Sequence, residues 1–131
     1  MPRVYTRMST ILVVDDDATM RSLFKLMLES AGYQVLSAGT AQDALDLLRS
    51  LEELPALILL DLMMPEMTGW DFRELQLEDP VLADIPVVVL SAMNDLPARA
   101  SDLGISEAIQ KPTPFAELLA VVARYCPAPH G

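Results

Sequence analysis

Three short apolar runs constrain this chain most: ILVV at 11–14, ALILL at 56–60 and VVVL at 87–90. A strand with one face in water alternates apolar and polar residues, so a run without alternation must be covered on both faces, as in a parallel sheet. A weaker run, EAIQ at 107–110, and an alternating one, YQVLSA at 33–38, add two more strands, the latter nearer an edge.

Helical patterns fill the gaps. Met20, Leu23, Phe24, Met27 and Ala31 make one stripe at spacings of three and four, closed by Gly32. Thr40 and Asp43 resemble a capping box opening a helix that presents Ala44, Leu45, Leu48 and Leu51. A third helix runs from Gly69 to about Leu77, and a weaker fourth from Leu96 to about Leu103, stopped by Gly104. Thr113 and Pro114 form a cap and first-turn pair for a fifth helix presenting Phe115, Leu118, Leu119 and Val122. Strand then helix, five times over, predicts a doubly wound α/β fold with a five-stranded parallel sheet. In such sheets ligands bind beyond the carboxyl ends of the strands.

A chain of 131 residues, 52% hydrophobic and 21% charged, is the size of one domain and has enough apolar material for a core. Its net charge of −10 repels phosphate backbones and argues against nucleic-acid binding. No run reaches the roughly 20 apolar residues of a membrane span. The single cysteine, Cys126, forms no intrachain disulfide, and the single histidine, His130, stands in the tail, which fits a cytoplasmic protein without a zinc site. Residues 1–9 read as a leader, 10–125 as the domain and 126–131 as a tail.

The chemistry is expected where the apolar runs stop. The first ends in Asp15, Asp16 and Asp17, the run at 56–60 in Asp61, the run at 87–90 in Ser91, and the last near Lys111. Oxygen-only ligands suit a hard ion such as Mg²⁺, which keeps several waters and needs only two or three carboxylates. A hydroxyl and an ammonium beside such an ion can clamp the oxygens of a phosphoryl group, and an aspartate there can be the nucleophile. Taken singly, each residue is as well explained as a solvated turn or helix-start charge; their joint placement at successive strand ends favours a site. Met63, Met64, Met67 and Met93 surround it and read as packing residues, and Trp70 as a helix-packing aromatic.

ILVVDDD at 11–17, LILLDLMMPEMTG at 57–69, VVVLSA at 87–92 and KP at 111–112 resemble, in order and separation, the receiver domains of two-component response regulators. The resemblance covers residues 10–125. It implies the flavodoxin-like (βα)5 fold with strand order 2-1-3-4-5, and Asp61 as phosphoacceptor from a histidine kinase or histidine phosphotransfer protein. It further implies Mg²⁺ held by Asp16, Asp61 and the backbone carbonyl of Met63, with Asp15 acting through water. Ser91 takes the place of the switch hydroxyl and Lys111 that of the lysine on the phosphoryl oxygens, with a cis Lys111–Pro112 bond. An output protein and, in some members, a dimer complete the expectation. One departure stands out: Ala108 occupies the position where the family usually carries an aromatic switch residue.

Two other readings compete. Asp15 and Asp17 with Thr19 also match the D-x-D-x-T opening of haloacid-dehalogenase-like phosphatases, with Asp15 as nucleophile and Asp17 as general acid. Only 20 residues follow Lys111, however, with Glu117 their single acid, and Asp61 is left without a role. The other is a receiver-like interaction module that signals without phosphate, which Ala108 keeps open.

Overall fold

The computed structural model describes residues 10–92, 98–105, 107–111 and 113–126. The expected leader at 1–9, Met93, the Leu96-Pro97 start of the fourth helix, Pro112 with its expected cis bond, and His130 lie outside the described residues. Ten elements alternate along the chain: β1 (Thr10–Val14), α1 (Ala18–Ser30), β2 (Gln34–Ala38), α2 (Ala41–Ser50), β3 (Leu57–Asp61), α3 (Gly69–Glu78), β4 (Val87–Ser91), α4 (Ala98–Asp102), β5 (Ala108–Gln110) and α5 (Phe115–Tyr125). The strands form one parallel sheet, as the apolar runs predicted, in the order β2-β1-β3-β4-β5 that the receiver resemblance implied.

The central strands show why the runs do not alternate. Leu12, Val14, Ile58, Leu60, Val87 and Val89 face one core, packed against α2, α3 and α4 through Leu45, Leu48, Phe72 and Ala100. Ile11, Val13, Leu57, Leu59, Val88 and Leu90 face the other, packed against α1 and α5 through Phe24, Leu28, Leu118 and Val122. Both faces of β1, β3 and β4 are dry, and alternation would place a polar side chain in one of the cores. β2 lies at the edge and, against the alternation its sequence suggested, buries Val35 on one face and Ala38, with Leu36 half-buried, on the other, while Gln34 and Ser37 are exposed. None of the described helices is long and apolar enough to cross a membrane.

Helix starts differ from expectation in three places. Thr40 caps α2 by accepting from the Asp43 amide at 2.9 Å, but only this half of the expected box is present among the described hydrogen bonds. The complete box opens α3, where the Thr68 hydroxyl accepts from the Asp71 amide and the Asp71 carboxylate accepts from the Thr68 amide at 3.1 Å. Thr113 does not cap α5; Pro114 is the residue before the first helical one, and its carbonyl accepts the first helical bond, from the Leu118 amide at 3.1 Å. Phe115 stands in the end turn of α5 and is 42% exposed, whereas Leu118 and Val122, one and two turns deeper, carry the burial. On α1 the buried stripe is Phe24 and Leu28, flanked by Met20, Met27 and Ala31, with Leu23 left largely outside.

Candidate functional site

All five strands end at one edge, and the residues that follow the apolar runs collect there. Asp15 directly follows β1 and is fully buried; its amide donates to the Ala38 carbonyl, which fixes the turn against β2. Asp61 closes β3 and Ser91 closes β4, both buried. Lys111 follows β5, and its amide donates to the Ser91 carbonyl at 2.8 Å, so the end of β5 is stitched to the end of β4. One carboxylate oxygen from each of Asp15, Asp16 and Asp61 lies within 4.8 Å of the others.

The charges in this crevice are unequal. The Lys111 ammonium lies 3.0 Å from Asp15 Oδ2 and 3.6 Å from Asp61 Oδ2, one cation bridging two buried anions with Asp16 exposed beside them. Burial pushes the Asp61 carboxyl up to about 6, and the charges of Asp15 and Asp16 add to this. The Met63 amide, donating to Asp61 Oδ1 at 3.1 Å, and the Lys111 charge pull the other way and do not win. Burial disfavours the Lys111 ammonium, yet its hydrogen bond to Asp15 and the charges of Asp61 and Asp15 hold it above the ordinary lysine value. A cluster of three carboxylates with one ammonium is short of positive charge, and its all-oxygen donor set fits a hard divalent cation.

Not every sequence candidate joins this cluster. Asp17 turns its carboxylate to the start of α1, where Oδ1 accepts from the amides of Thr19 and Met20, and it is therefore a cap and not the general acid that a phosphatase would need. Glu117 is exposed in the first turn of α5. The Met63 side chain is 71% exposed and does not pack, in contrast to Met64 and Met67, which do. Ala108 pairs with Val89 and packs, half-buried, against the core under α2, α3 and α4.

Three residues that shape the site carried no clear signal in the sequence. A Cβ on Gly69 would lie 2.6 Å from the Asp61 carbonyl oxygen and 2.9 Å from Leu62 Cα, so only glycine lets α3 begin this close to the end of β3. Its amide donates to the Leu62 carbonyl. Arg21 donates to the Asp15 carbonyl at 2.8 Å and lies where a side chain on Gly39 would stand. A glycine at the start of a helix reads simply as a boundary, and an arginine one turn into a helix as a surface charge; only the close approach shows otherwise.

A doubly wound sheet with an acid pair after β1, an aspartate ending β3, a hydroxyl ending β4 and a lysine after β5 defines a receiver-type domain. The family model for the response regulator receiver domain matches residues 11–123, and the chain belongs to that family. It is 38% identical over 118 residues to an uncharacterized 14.6 kDa protein of Leptolyngbya boryana, covering 88% of each. It is 37% identical over 105 residues to the probable transcriptional regulator ycf27 of Porphyridium aerugineum; the match covers 78% of this chain and only 41% of that protein. Among solved structures, the chemotaxis protein CheY4 of Vibrio cholerae superposes with a TM-score of 0.81 at 25% identity, over 89% of this chain and 98% of that one.

Proposed function

We propose that Asp61 accepts a phosphoryl group from a phosphohistidine on a histidine kinase or histidine phosphotransfer protein, and that the phosphorylated domain signals by protein contact. The observation that carries this reading is the bridge of Lys111 between Asp15 and Asp61 inside the three-carboxylate cluster. An Asp61 oxygen forms the new bond to phosphorus as the bond to the donor imidazole nitrogen breaks, giving an acyl phosphate and leaving the histidine to take up a proton. Lys111 stands beside Asp61 to neutralise charge on the transferred oxygens, and Ser91, buried at the neighbouring strand end, is the hydroxyl assigned to share them. The residues assigned to Mg²⁺ are Asp16, Asp61 and the Met63 carbonyl, with Asp15 through water; bound there, the ion would neutralise charge developing on the phosphoryl oxygens.

Treatment with a small acyl phosphate donor and Mg²⁺, followed by intact-mass measurement, tests the assignment. Wild type is expected to gain one phosphoryl mass and Asp61→Asn none; equal labelling of the variant would return Asp15 to the role of nucleophile. Loss of Asp16 removes a ligand and a charge, so Asp16→Ala is expected to weaken Mg²⁺ binding at least about tenfold. Trp70, next to Gly69 at the start of α3, gives a fluorescence readout for that titration. Wild-type affinity in the variant would place the metal elsewhere.

A further inference from the structure

The core on the α2, α3 and α4 side of the sheet contains a charge that the site chemistry does not use. Arg73, one turn into α3, is 7% exposed, and Gln76 on the same helix is fully buried. The guanidinium donates through Nε to the Leu103 carbonyl at 2.9 Å, and through Nη1 to Gln76 Oε1 at 2.8 Å and to the Ile85 carbonyl at 3.4 Å. The Gln76 amide in turn donates to the carbonyls of Leu82 and Ile85 at 2.9 and 3.0 Å. Every described partner of Arg73 is a neutral oxygen, and burial lowers its pKa from the ordinary arginine value.

These bonds hold a weak element. α4 has five residues, and its C-terminal turn is anchored in the core by Ala100 and Ile105. It leaves the helix through Gly104 at φ 69°, a conformation that suits glycine, and a Cβ there would already touch Arg73 Nη2 at 3.4 Å. α4 is also the helix that follows Ser91, and α3, which carries Arg73, begins at Gly69 against the Asp61 carbonyl. The guanidinium therefore joins the helix that starts against Asp61 to the helix that follows the strand ending in Ser91.

We propose that Arg73 is a latch on α4: it holds the docked helix through the Leu103 carbonyl, yet makes release easier than an apolar side chain in its place would, because undocking returns a buried cation to water. An apolar side chain there would resist release, since undocking would then expose apolar surface. A charge-assisted bond is lost on opening in wild type, but hydration of the guanidinium offsets part of that loss. The role in signalling rests on the function proposed above: a change at Asp61 and Ser91 needs only a small bias to move the helix.

Amide exchange at 100–105 in the unphosphorylated domain tests the latch without any phosphorylation chemistry. Arg73→Ala, which removes the tie, is expected to speed exchange there about tenfold, the low end of what one charge-assisted bond contributes. Arg73→Met with Gln76→Leu, which replaces the network by apolar packing, is expected to slow it by a similar factor, with α1 unchanged in both. Wild-type rates at 100–105 in both variants, or faster exchange in the apolar pair, would reduce Arg73 to an ordinary structural tie and overturn the proposal. Should Arg73→Ala fail to fold, the apolar pair decides alone. Repeating the measurement after phosphodonor treatment, with intact mass alongside, separates the two readings. An unlabelled wild type defeats the proposed function and leaves the latch standing. A labelled wild type whose exchange at 100–105 does not change shows that the latch takes no part in output.

Discussion

Asp61 shows how a site residue trades stability for reactivity. Its carboxyl titrates at about 6, against an ordinary value of 3.8, because burial and two neighbouring anions disfavour the charged form more than Lys111 and the Met63 amide favour it. A folded-state value above the unfolded one means that this group contributes its stability at low pH and loses it as pH rises from about 4 through about 6. At neutral pH and without a divalent cation, Asp61→Asn is expected to be more stable than wild type, by on the order of 1 kcal/mol, or a few degrees in Tm. The advantage should shrink below about pH 4 in thermal melts; an Asn variant less stable than wild type at pH 7 would show that the carboxylate cluster is not under strain. Mg²⁺ should narrow the difference from the other side, by stabilising wild type alone.

At the scale of elements, the start of α3 governs how the site is built. The helix is placed by a full capping box at Thr68 and Asp71 and by the contact of Gly69 with the backbone at Asp61 and Leu62. A methyl group there meets main-chain atoms, which cannot swing aside as a flexible side chain would. Gly69→Ala is accordingly expected to cost about 1–3 kcal/mol, and to shift the Met63 amide away from Asp61 Oδ1, with slower labelling by a phosphodonor. Chemical denaturation and labelling kinetics measure the two effects; a variant with wild-type stability would mean that the helix start yields easily. Gly39 is a different case, since a side chain there meets the guanidinium of Arg21, at 2.9 Å from Nη1, and not backbone.

At the scale of the whole molecule, one buried contact ties the start of β2 to the end of α5. Tyr33, just before β2, donates its hydroxyl to the carbonyl of Cys126 beyond α5 at 2.7 Å, across 93 positions of sequence. Burial pushes the Cys126 thiol up to about 11 from 9.0. Burial, and then the nearby Cys126, raise the Tyr33 phenol above its ordinary 10.0. Both groups are held neutral by the fold; the stability that Cys126 contributes is fully present below about pH 9 and is lost as pH rises through about 11, and the raised Tyr33 phenol acts in the same direction. Denaturant unfolding between pH 8 and 11 is expected to show a steeper decline for wild type than for Cys126→Ala. Tyr33→Phe should cost about 1 kcal/mol at pH 7, the value of one buried hydrogen bond. An identical pH profile for wild type and Cys126→Ala would show that these groups do not govern alkaline unfolding.

The sequence by itself determined the alternation of strand and helix, the parallel sheet and its order through the receiver resemblance, because unalternating runs such as ILVV and VVVL can be satisfied only between two dry faces. It also placed Asp15, Asp16, Asp61, Ser91 and Lys111 at strand ends, since the ends of parallel strands share one edge whatever the details of packing. Tertiary structure alone decided what each residue meets there. Asp17 left the acidic group because the α1 amides beside it needed an acceptor, and Thr113 lost its expected cap because Pro114 already carries the last extended backbone before α5. Gly69, Arg21 and the buried pair Arg73 and Gln76 look, in one dimension, like a boundary and ordinary polar helix positions. Their roles depend on contacts across loops and between helices, including the 30 positions that separate Arg73 from Leu103, and such distances are fixed only when the helices pack on the sheet.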